Sequence, residues 1–324
     1  MPHLLVAGKL HPSGLDLLRT APVTFDYVEE ISEPSFQAYL PKADALVIRT
    51  QPLTAASIAR APGLKIVSRH GVGYDAVDVP ALNTRGIPLC IVGDVNSSGV
   101  AEHAMMLILA ATHRLIAADR ATREGDWGWR NGLQTHEVAG KRLLILGFGR
   151  IGQKLAALAR AFGMEVQAHD PYIAEGGWPE GASRATDLAR ALAEADAVSL
   201  HLPRADKAVL GAEELALMKP TAVVVNTARG GLVDEMALAD ALRAGRLGGA
   251  GIEVFGAEPP AKDHPLFGLD QVVLTPHNAA LTAECAERMA VASVQNVLDY
   301  FAGTLDPALV VNAAAIGGLK ELAK

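Results

Sequence analysis

The chain alternates short, unbroken apolar runs with longer segments whose apolar residues recur every three or four positions. His3–Gly8, Val23–Val28, Ala43–Ile48, Leu64–Ser68 and Ile87–Val92 read as strands. Helices are expected over Ser35–Leu40, Ala55–Arg60 (capped by Thr54) and Pro80–Thr84. Strands alternating with helices predict a small parallel α/β unit in the first part of the chain. A helical period then runs from Gly99 to Thr122 through Val100, His103, Ala104, Leu107, Ala111, Leu115 and Ala118. Its apolar residues cover more than one face, which predicts burial between domains or subunits. Gly125–Gly132 ends that helix in a loop holding two of the three tryptophans.

The alternation resumes at Leu143. Strands are expected at Leu143–Leu146, Met164–Asp170, Ala197–Leu202, Ala222–Asn226, Gly249–Val254 and Val272–Leu274. Helices fall at Leu188–Ala193, Glu213–Met218 and Glu235–Arg243, and a long one covers Glu284–Phe301. These six strands are the number a doubly wound dinucleotide domain needs.

The first of these strands runs into Gly147-Phe148-Gly149-Arg150-Ile151-Gly152 and a helix carrying Leu155, Leu158, Ala159 and Phe162. The next strand ends in Asp170. Strand, glycine turn, helix, strand and acid together form a dinucleotide fingerprint. Gly147 permits the tight turn, Gly149 lets backbone approach a pyrophosphate, and Gly152 lets helix and strand pack closely. The helix N-terminus offers free N–H groups to phosphate. Asp170 can accept both hydroxyls of the adenosine ribose and repels a 2′-phosphate, so the expected cofactor is NAD rather than NADP.

Composition narrows the class. Half of the 324 residues are hydrophobic and 20% are charged, enough for a large core. A net charge of −7 argues against a nucleic-acid or anionic-membrane surface. The apolar run Ala104–Ala111 is too short to span a bilayer, and the N-terminal apolar run is too short for a signal peptide, so a cytoplasmic protein is expected. Cys90 and Cys285 lack metal-ligand spacing and sit among apolar neighbours, which predicts small buried hydrophobes and no metal site.

His201, Arg229 and His277 each follow an expected strand. Ligands in such sheets sit beyond the carboxyl ends of the strands, so these residues are expected to line one crevice. Arg229 can hold a carboxylate through its planar fork. His277 can donate and accept a proton near neutral pH, and Glu258 is a partner that would orient it. Alone, each has a plainer reading: a surface Arg, a satisfied His, a solvated Glu. Beside a nicotinamide they describe carbonyl reduction, with hydride from NADH and a proton from His277.

These stretches resemble the D-2-hydroxyacid dehydrogenase family, most nearly its phosphoglycerate dehydrogenase-like branch without an appended regulatory domain. The matching segments are His70–Asp75, Val100–His103, Gly147–Gly152, His169–Pro171, Asn226–Gly231, Glu253–Pro259 and Thr275–His277, in family order over nearly the whole chain. The resemblance implies two Rossmann-like or flavodoxin-like parallel-sheet domains, with the NAD-binding domain (99–281) inserted into the substrate domain (1–98 plus 282–324). It implies Arg229, Glu258 and His277 as the catalytic set, and backbone N–H groups at Val72 and Gly73 for the substrate carboxylate. It implies cofactor contacts at Gly147, Gly149, Arg150, Ile151, Gly152, Asp170, His201, Pro203, Thr227, Ala228, Arg229, Glu253, His277 and Ala279. It further implies a small 2-oxo or 2-hydroxy acid substrate and a homodimer formed through the inserted domain.

Two positions depart from the family pattern. Glu253 stands where the family usually has an Asp touching the nicotinamide carboxamide, and Asn278-Ala279-Ala280 stand where small glycines often follow the His. Arg49, at a strand end, is a candidate for a second anionic group on the substrate, with Ser97 and Ser98 near the same pocket; a surface Arg is the alternative. Two other functions are compatible with the fold: an NAD-sensing scaffold of the corepressor kind, and formate or phosphite oxidation.

Overall fold

The computed structural model describes residues 1–317 and divides the chain into two compact units, Met1–Asn96 with the segment from Leu281 on, and Ser97–Ala280.

The first unit begins β1 (His3–Ala7), α1 (Pro12–Thr20), β2 (Thr24–Val28), α2 (Glu33–Gln37), β3 (Ala45–Ile48), α3 (Ala55–Ala59), β4 (Ile66–Arg69), α4 (Val79–Thr84) and β5 (Leu89–Cys90). The strands form one parallel sheet in the order β2-β1-β3-β4-β5, the flavodoxin-like order. Alternation along the strands splits the core in two. Leu5, Leu46, Ile48 and Val67 pack with Phe36, Leu40, Ile58 and Leu82 on one face, while Leu4, Val6, Val47 and Ile66 serve the other.

The second unit holds α5 (Ser97–Thr112), α6 (Leu115–Glu124), β6 (Arg142–Leu146), α7 (Arg150–Ala161), β7 (Glu165–His169), β8 (Ser183–Arg184), α8 (Leu188–Glu194), β9 (Ala197–Leu200), α9 (Ala212–Leu217), β10 (Val223–Asn226), α10 (Glu235–Arg243), β11 (Gly249–Ile252) and β12 (Val272–Leu274). Its sheet is parallel, in the order β12-β11-β10-β9-β6-β7-β8. From β6 the chain winds one way through β7 and β8, then returns past β6 to wind the other way through β9. The order therefore reverses between β6 and β9, which opens a crevice beyond their carboxyl ends.

The last helix, α11 (Ala283–Ala302), belongs to the first unit and packs on β3, β4 and α1. Ala290, Val294 and Val297 complete the core face begun by Leu4 and Val6. Thr282 caps it, its Oγ1 accepting from Cys285 N–H at 3.1 Å. Both cysteines are buried and form no disulfide, and burial pushes the Cys90 thiol up to about 12.

Several elements differ from the sequence expectation. The single helix over 99–122 is two helices bent by 56°, because Arg114 at the junction takes a left-handed conformation, φ 52°. The strand expected over Ile87–Val92 contracts to two residues. Pro88 has no N–H to give, while Ile91 and Val92 donate to Leu309 and Gly71 outside the sheet. The helix expected over Ser35–Leu40 ends at Gln37, and a separate 3-10 turn covers Leu40–Lys42. The second sheet gains β8, a two-residue edge strand, as its seventh. α1 is also new; its cap is His11, whose Nδ1 accepts from Ser13 N–H. Among the described residues no single helix is long and apolar enough to cross a membrane.

Candidate active site

The turn after β6 gives each glycine a distinct task. Gly147 has φ +90°, and a Cβ on it would lie 2.5 Å from the His201 carbonyl oxygen. A Cβ on Gly152 would lie 2.4 Å from the Gly147 carbonyl oxygen, so α7 starts in close contact with the turn. Around Gly149 there is open space within 4 Å. Gly149 is the N-cap of α7 and makes no side-chain capping bond. The N–H groups of the first turn, at Arg150, Ile151 and Gly152, thus have no side-chain cap, which suits the turn to a phosphate oxygen.

Asp170 follows β7 at the same edge. Its Oδ2 accepts from Phe148 N–H at 2.9 Å and its Oδ1 from Tyr172 N–H at 3.0 Å. Both bonds are to backbone, so the carboxylate is fixed in place, and each oxygen keeps a lone pair for a ribose hydroxyl. His201 follows β9, across the sheet reversal. Its Nε2 lies 2.9 Å from Ser199 Oγ, while its Nδ1 is buried without a partner. Burial pushes this imidazole down to about 4, so it is neutral at physiological pH. Pro203 is exposed beside it. Thr227 Oγ1, just after β10, is also buried and unpartnered. Open space at Gly149, a fixed acid and two orphaned polar atoms along one sheet edge fit a dinucleotide.

The loop after β10 is shaped by Asn226, whose Oδ1 accepts from Ala228 N–H at 3.0 Å and whose Nδ2 donates to the Arg229 carbonyl at 2.8 Å. This presents half-buried Arg229, whose Nη1 donates to Ala228 O at 2.7 Å. A Cβ on Gly230 would lie 1.8 Å from the Phe255 carbonyl oxygen, so the Arg229 loop rests directly on the backbone of the loop carrying Glu258. Glu258 Oε1 accepts from Phe255 N–H at 3.0 Å, and its Oε2 lies 2.7 Å from His277 Nδ1. His277 has a positive φ of 51°, a rare state for a side chain of this size, held by its N–H donating to Glu253 O at 3.0 Å. With Nδ1 engaged by Glu258, Nε2 is the ring atom left to exchange a proton with a ligand.

Glu253 is 1% exposed and its carboxylate is satisfied inside the chain. Oε2 accepts from Thr275 Oγ1 and lies 3.3 Å from His103 Nε2, and Oε1 accepts from Ala279 N–H. Burial works to raise this carboxyl, but hydrogen bonds from His103, Thr275 and Ala279 outweigh it and hold the group below the usual carboxylate range. The extra methylene relative to Asp thus ties the end of β12 and buried Ala279 to α5.

In the first unit, Val72 and Gly73 lie in the loop after β4, and among the described residues their N–H groups donate to nothing. Arg49 follows β3. Its Nη1 donates to Lys9 O at 2.7 Å, its Nε is buried without a partner, and no carboxylate pairs with it among the described residues. Burial lowers its pKa from the usual value. Close by, His70 is 5% exposed with an unpartnered Nε2; burial, aided by Arg49 and Arg69, pushes it down to about 3.

Sequence reasoning missed the groups behind these loops. Glu235 at the start of α10 bonds both Gly256 N–H and His264, and His103 reaches Thr275 and Glu253. The only signal for Glu235 is an acid in a helix's first turn, which has a sufficient explanation in the helix dipole.

A doubly wound parallel sheet with a glycine turn at its reversal defines a dinucleotide-binding fold. Residues 105–279 match the family described as "D-isomer specific 2-hydroxyacid dehydrogenase, NAD binding domain". The chain belongs to that family and carries its NAD-binding domain. It is 40% identical to a D-3-phosphoglycerate dehydrogenase of Mycobacterium tuberculosis, over 98% of this chain and 60% of that protein. It thus spans about 60% of the length of such relatives. It is 36% identical to a glyoxylate reductase of Korarchaeum cryptofilum, over 95% of this chain and 96% of that one. Among solved structures, the TT0316 protein of Thermus thermophilus superposes with a TM-score of 0.87 at 34% identity, covering 95% of this chain and 99% of that one.

Proposed function

We propose that this chain is an NAD-dependent dehydrogenase that moves a hydride between the cofactor and a small 2-hydroxy or 2-oxo acid. The observation that carries the reading is the 2.7 Å contact between Glu258 Oε2 and His277 Nδ1, at the edge of the sheet that carries the glycine turn. A bound nicotinamide would supply or accept hydride at the substrate's C2. His277 Nε2 protonates the carbonyl oxygen in reduction and removes the hydroxyl proton in oxidation. Glu258 fixes the ring's orientation and offsets the charge that develops on it. Arg229 orients the acid and polarises its carbonyl through charge-assisted hydrogen bonds.

Gly147, Gly149, Arg150, Ile151 and Gly152 are assigned to the pyrophosphate, Asp170 to the ribose, His201 and Pro203 to the adenosine, and Thr227 to Arg229 to the nicotinamide side. Glu253 and Ala279 belong to the nicotinamide end; with its carboxylate engaged, Glu253 shapes that end through Ala279. The unblocked N–H groups of Val72 and Gly73 are assigned to the substrate carboxylate in the first unit. Arg49, a cation partly removed from water without a paired carboxylate, is assigned to a second anionic group on the substrate. The exposed Met106, Leu115, Ile116, Trp127 and Leu133 support a homodimer formed through this segment. The charge of −7 supports a small-molecule rather than a nucleic-acid or membrane partner; a cytoplasmic location is part of the same proposal.

The test is NADH oxidation with glyoxylate, hydroxypyruvate, phosphohydroxypyruvate, sulfopyruvate and 2-oxoglutarate, for wild type, His277→Ala and Arg49→Ala. Turnover that collapses in His277→Ala is expected, with Arg49→Ala losing the acids that carry a second anion and keeping glyoxylate. Tight NADH binding without turnover on any acid would instead favour the scaffold function. Equal loss on all acids in Arg49→Ala would remove that residue from specificity.

A further inference from the structure

Glu258 is bonded to the backbone of its own loop at Phe255, and that loop is itself held. The loop bearing Glu258 leaves the sheet at the end of β11 and is gripped from α10. Gly256 N–H donates to Glu235 Oε1 at 2.7 Å. Glu235 Oε2 lies 2.8 Å from His264 Nε2. Leu266 N–H points at His264 Nδ1, at 3.4 Å, which makes Nδ1 the acceptor and leaves the proton on Nε2, donated to Glu235. The side chains of His264 and Glu235 are only 10% and 18% exposed. The His264 ring stands edge-on to Phe255 with centroids 5.3 Å apart. The two successive N–H groups of the Phe255–Gly256 segment are thus each bound by a carboxylate, Phe255 by Glu258 and Gly256 by Glu235.

We infer that Glu235 and His264 form a positioning pair for proton transfer: they fix the Phe255–Gly256 backbone, which in turn sets Glu258 against His277. This rests on the dehydrogenase reading of Glu258 and extends it to two residues that touch neither substrate nor cofactor. A surface ion pair with the same partners would hold nothing. Here both oxygens of Glu235 are used, one on each end of the 256–264 loop, so losing either bond frees one end. Displacing a catalytic group by about 1 Å costs up to about 100-fold in rate. Partial release of Glu258 should therefore cost about tenfold.

The experiment compares His264→Phe, Glu235→Gln and Glu258→Gln, and each of the first two combined with the third. His264→Phe keeps the ring packing and removes the bond to Glu235 together with the long contact from Leu266 N–H, whereas Glu235→Gln leaves that contact in place. It uses whichever acid of the panel the wild type reduces fastest, with kcat, KM, NADH affinity and Tm measured for each variant. Expected is a fall of about tenfold in kcat for His264→Phe and Glu235→Gln, with KM and NADH affinity within about twofold. His264→Gln, which restores a donor toward Glu235, should recover part of the loss. In the Glu258→Gln background neither change should lower kcat by more than about twofold, because the group they position is gone. Full kcat with a lowered Tm in His264→Phe, or the same tenfold loss in both backgrounds, overturns the pair's positioning role and leaves the reading of Glu258 intact. A Glu258→Gln enzyme with wild-type kcat overturns that reading, and the positioning role with it.

Discussion

Gly230→Ala tests the closest backbone contact of the site. The added Cβ would lie 1.8 Å from Phe255 O, 2.1 Å from Phe255 C and 2.6 Å from Gly256 N, all backbone atoms that cannot rotate away. Such contacts are essentially never shorter than 3.0 Å, so the two loops must part by at least 1.2 Å (3.0 less 1.8). Arg229 rides on one loop. Glu258 is bonded to Phe255 N–H on the other. The separation therefore falls between the residue proposed to orient the acid and the residue proposed to orient the proton donor. A misplacement of about 1 Å costs about 100-fold, so kcat/KM should fall by about two orders of magnitude, about 2.7 kcal/mol of transition-state stabilisation. Overpacking should also lower stability by about 1–3 kcal/mol. The glycine turn lies after β6, away from this contact, so NADH affinity, read by fluorescence titration, should fall less than kcat/KM does, by no more than the nicotinamide-side contacts of Thr227 to Arg229 contribute. Gly231→Ala is the control. It has φ +80° and nothing within 4 Å of its Cβ, so it carries left-handed strain of about 1–2 kcal/mol and no collision. Steady-state NADH oxidation and thermal melts on both variants decide the matter. A folded Gly230→Ala enzyme that keeps more than about half of wild-type kcat/KM would refute the claim that this contact sets the geometry.

Two further outcomes follow from the site's edges. Asp170→Ala should cut the preference for NADH over NADPH, measured as the ratio of kcat/KM values, by tenfold or more, since hydrogen bonds to a charged group contribute about 1.5–3 kcal/mol; an unchanged ratio would remove Asp170 from ribose recognition. His70, held at about 3 in the fold against an ordinary 6.5, excludes a proton that the unfolded chain binds. Its contribution is complete above pH 6.5 and is lost as pH falls toward 3, at up to about 1.4 kcal/mol per pH unit. Between pH 6.5 and 5 the wild type should therefore lose about 2 kcal/mol that His70→Gln does not lose, as read by urea unfolding; parallel losses would show that His70 is not desolvated.

What the sequence reveals of this site follows the reach of local patterns. Gly147, Gly149, Gly152 and Asp170 are legible because a strand, turn and helix place them by chain connectivity alone. Arg229 and His277 are legible because they end apolar runs. The bend at Arg114 is not, since the apolar period continues from Ala111 through Leu115 and only the backbone angle changes. β8 is two residues long, and its pairing to Gln167 and Ala168 is a tertiary fact. The burial of Glu253 depends on His103, far earlier in the chain, reaching it from α5. The grip of Glu235 on Gly256 likewise needs the fold, because an acid beginning a helix has a local explanation that ends the inquiry. Gly230 reads as a flexible turn residue, whereas its requirement comes from a carbonyl on another loop.

The placement of α11 has a consequence for how the chain comes off the ribosome. The second unit is one continuous stretch and is complete once Ala280 has emerged. The first unit is not: Leu4, Val6, Val47 and Ile66 wait for Ala290, Val294 and Val297 to cover them, and β5 waits for Asn312, whose Oδ1 accepts from Leu89 N–H at 2.8 Å. A nascent chain thus finishes its middle before its beginning. Through most of synthesis the first sheet to be made keeps one apolar face open to chaperones and to neighbouring chains.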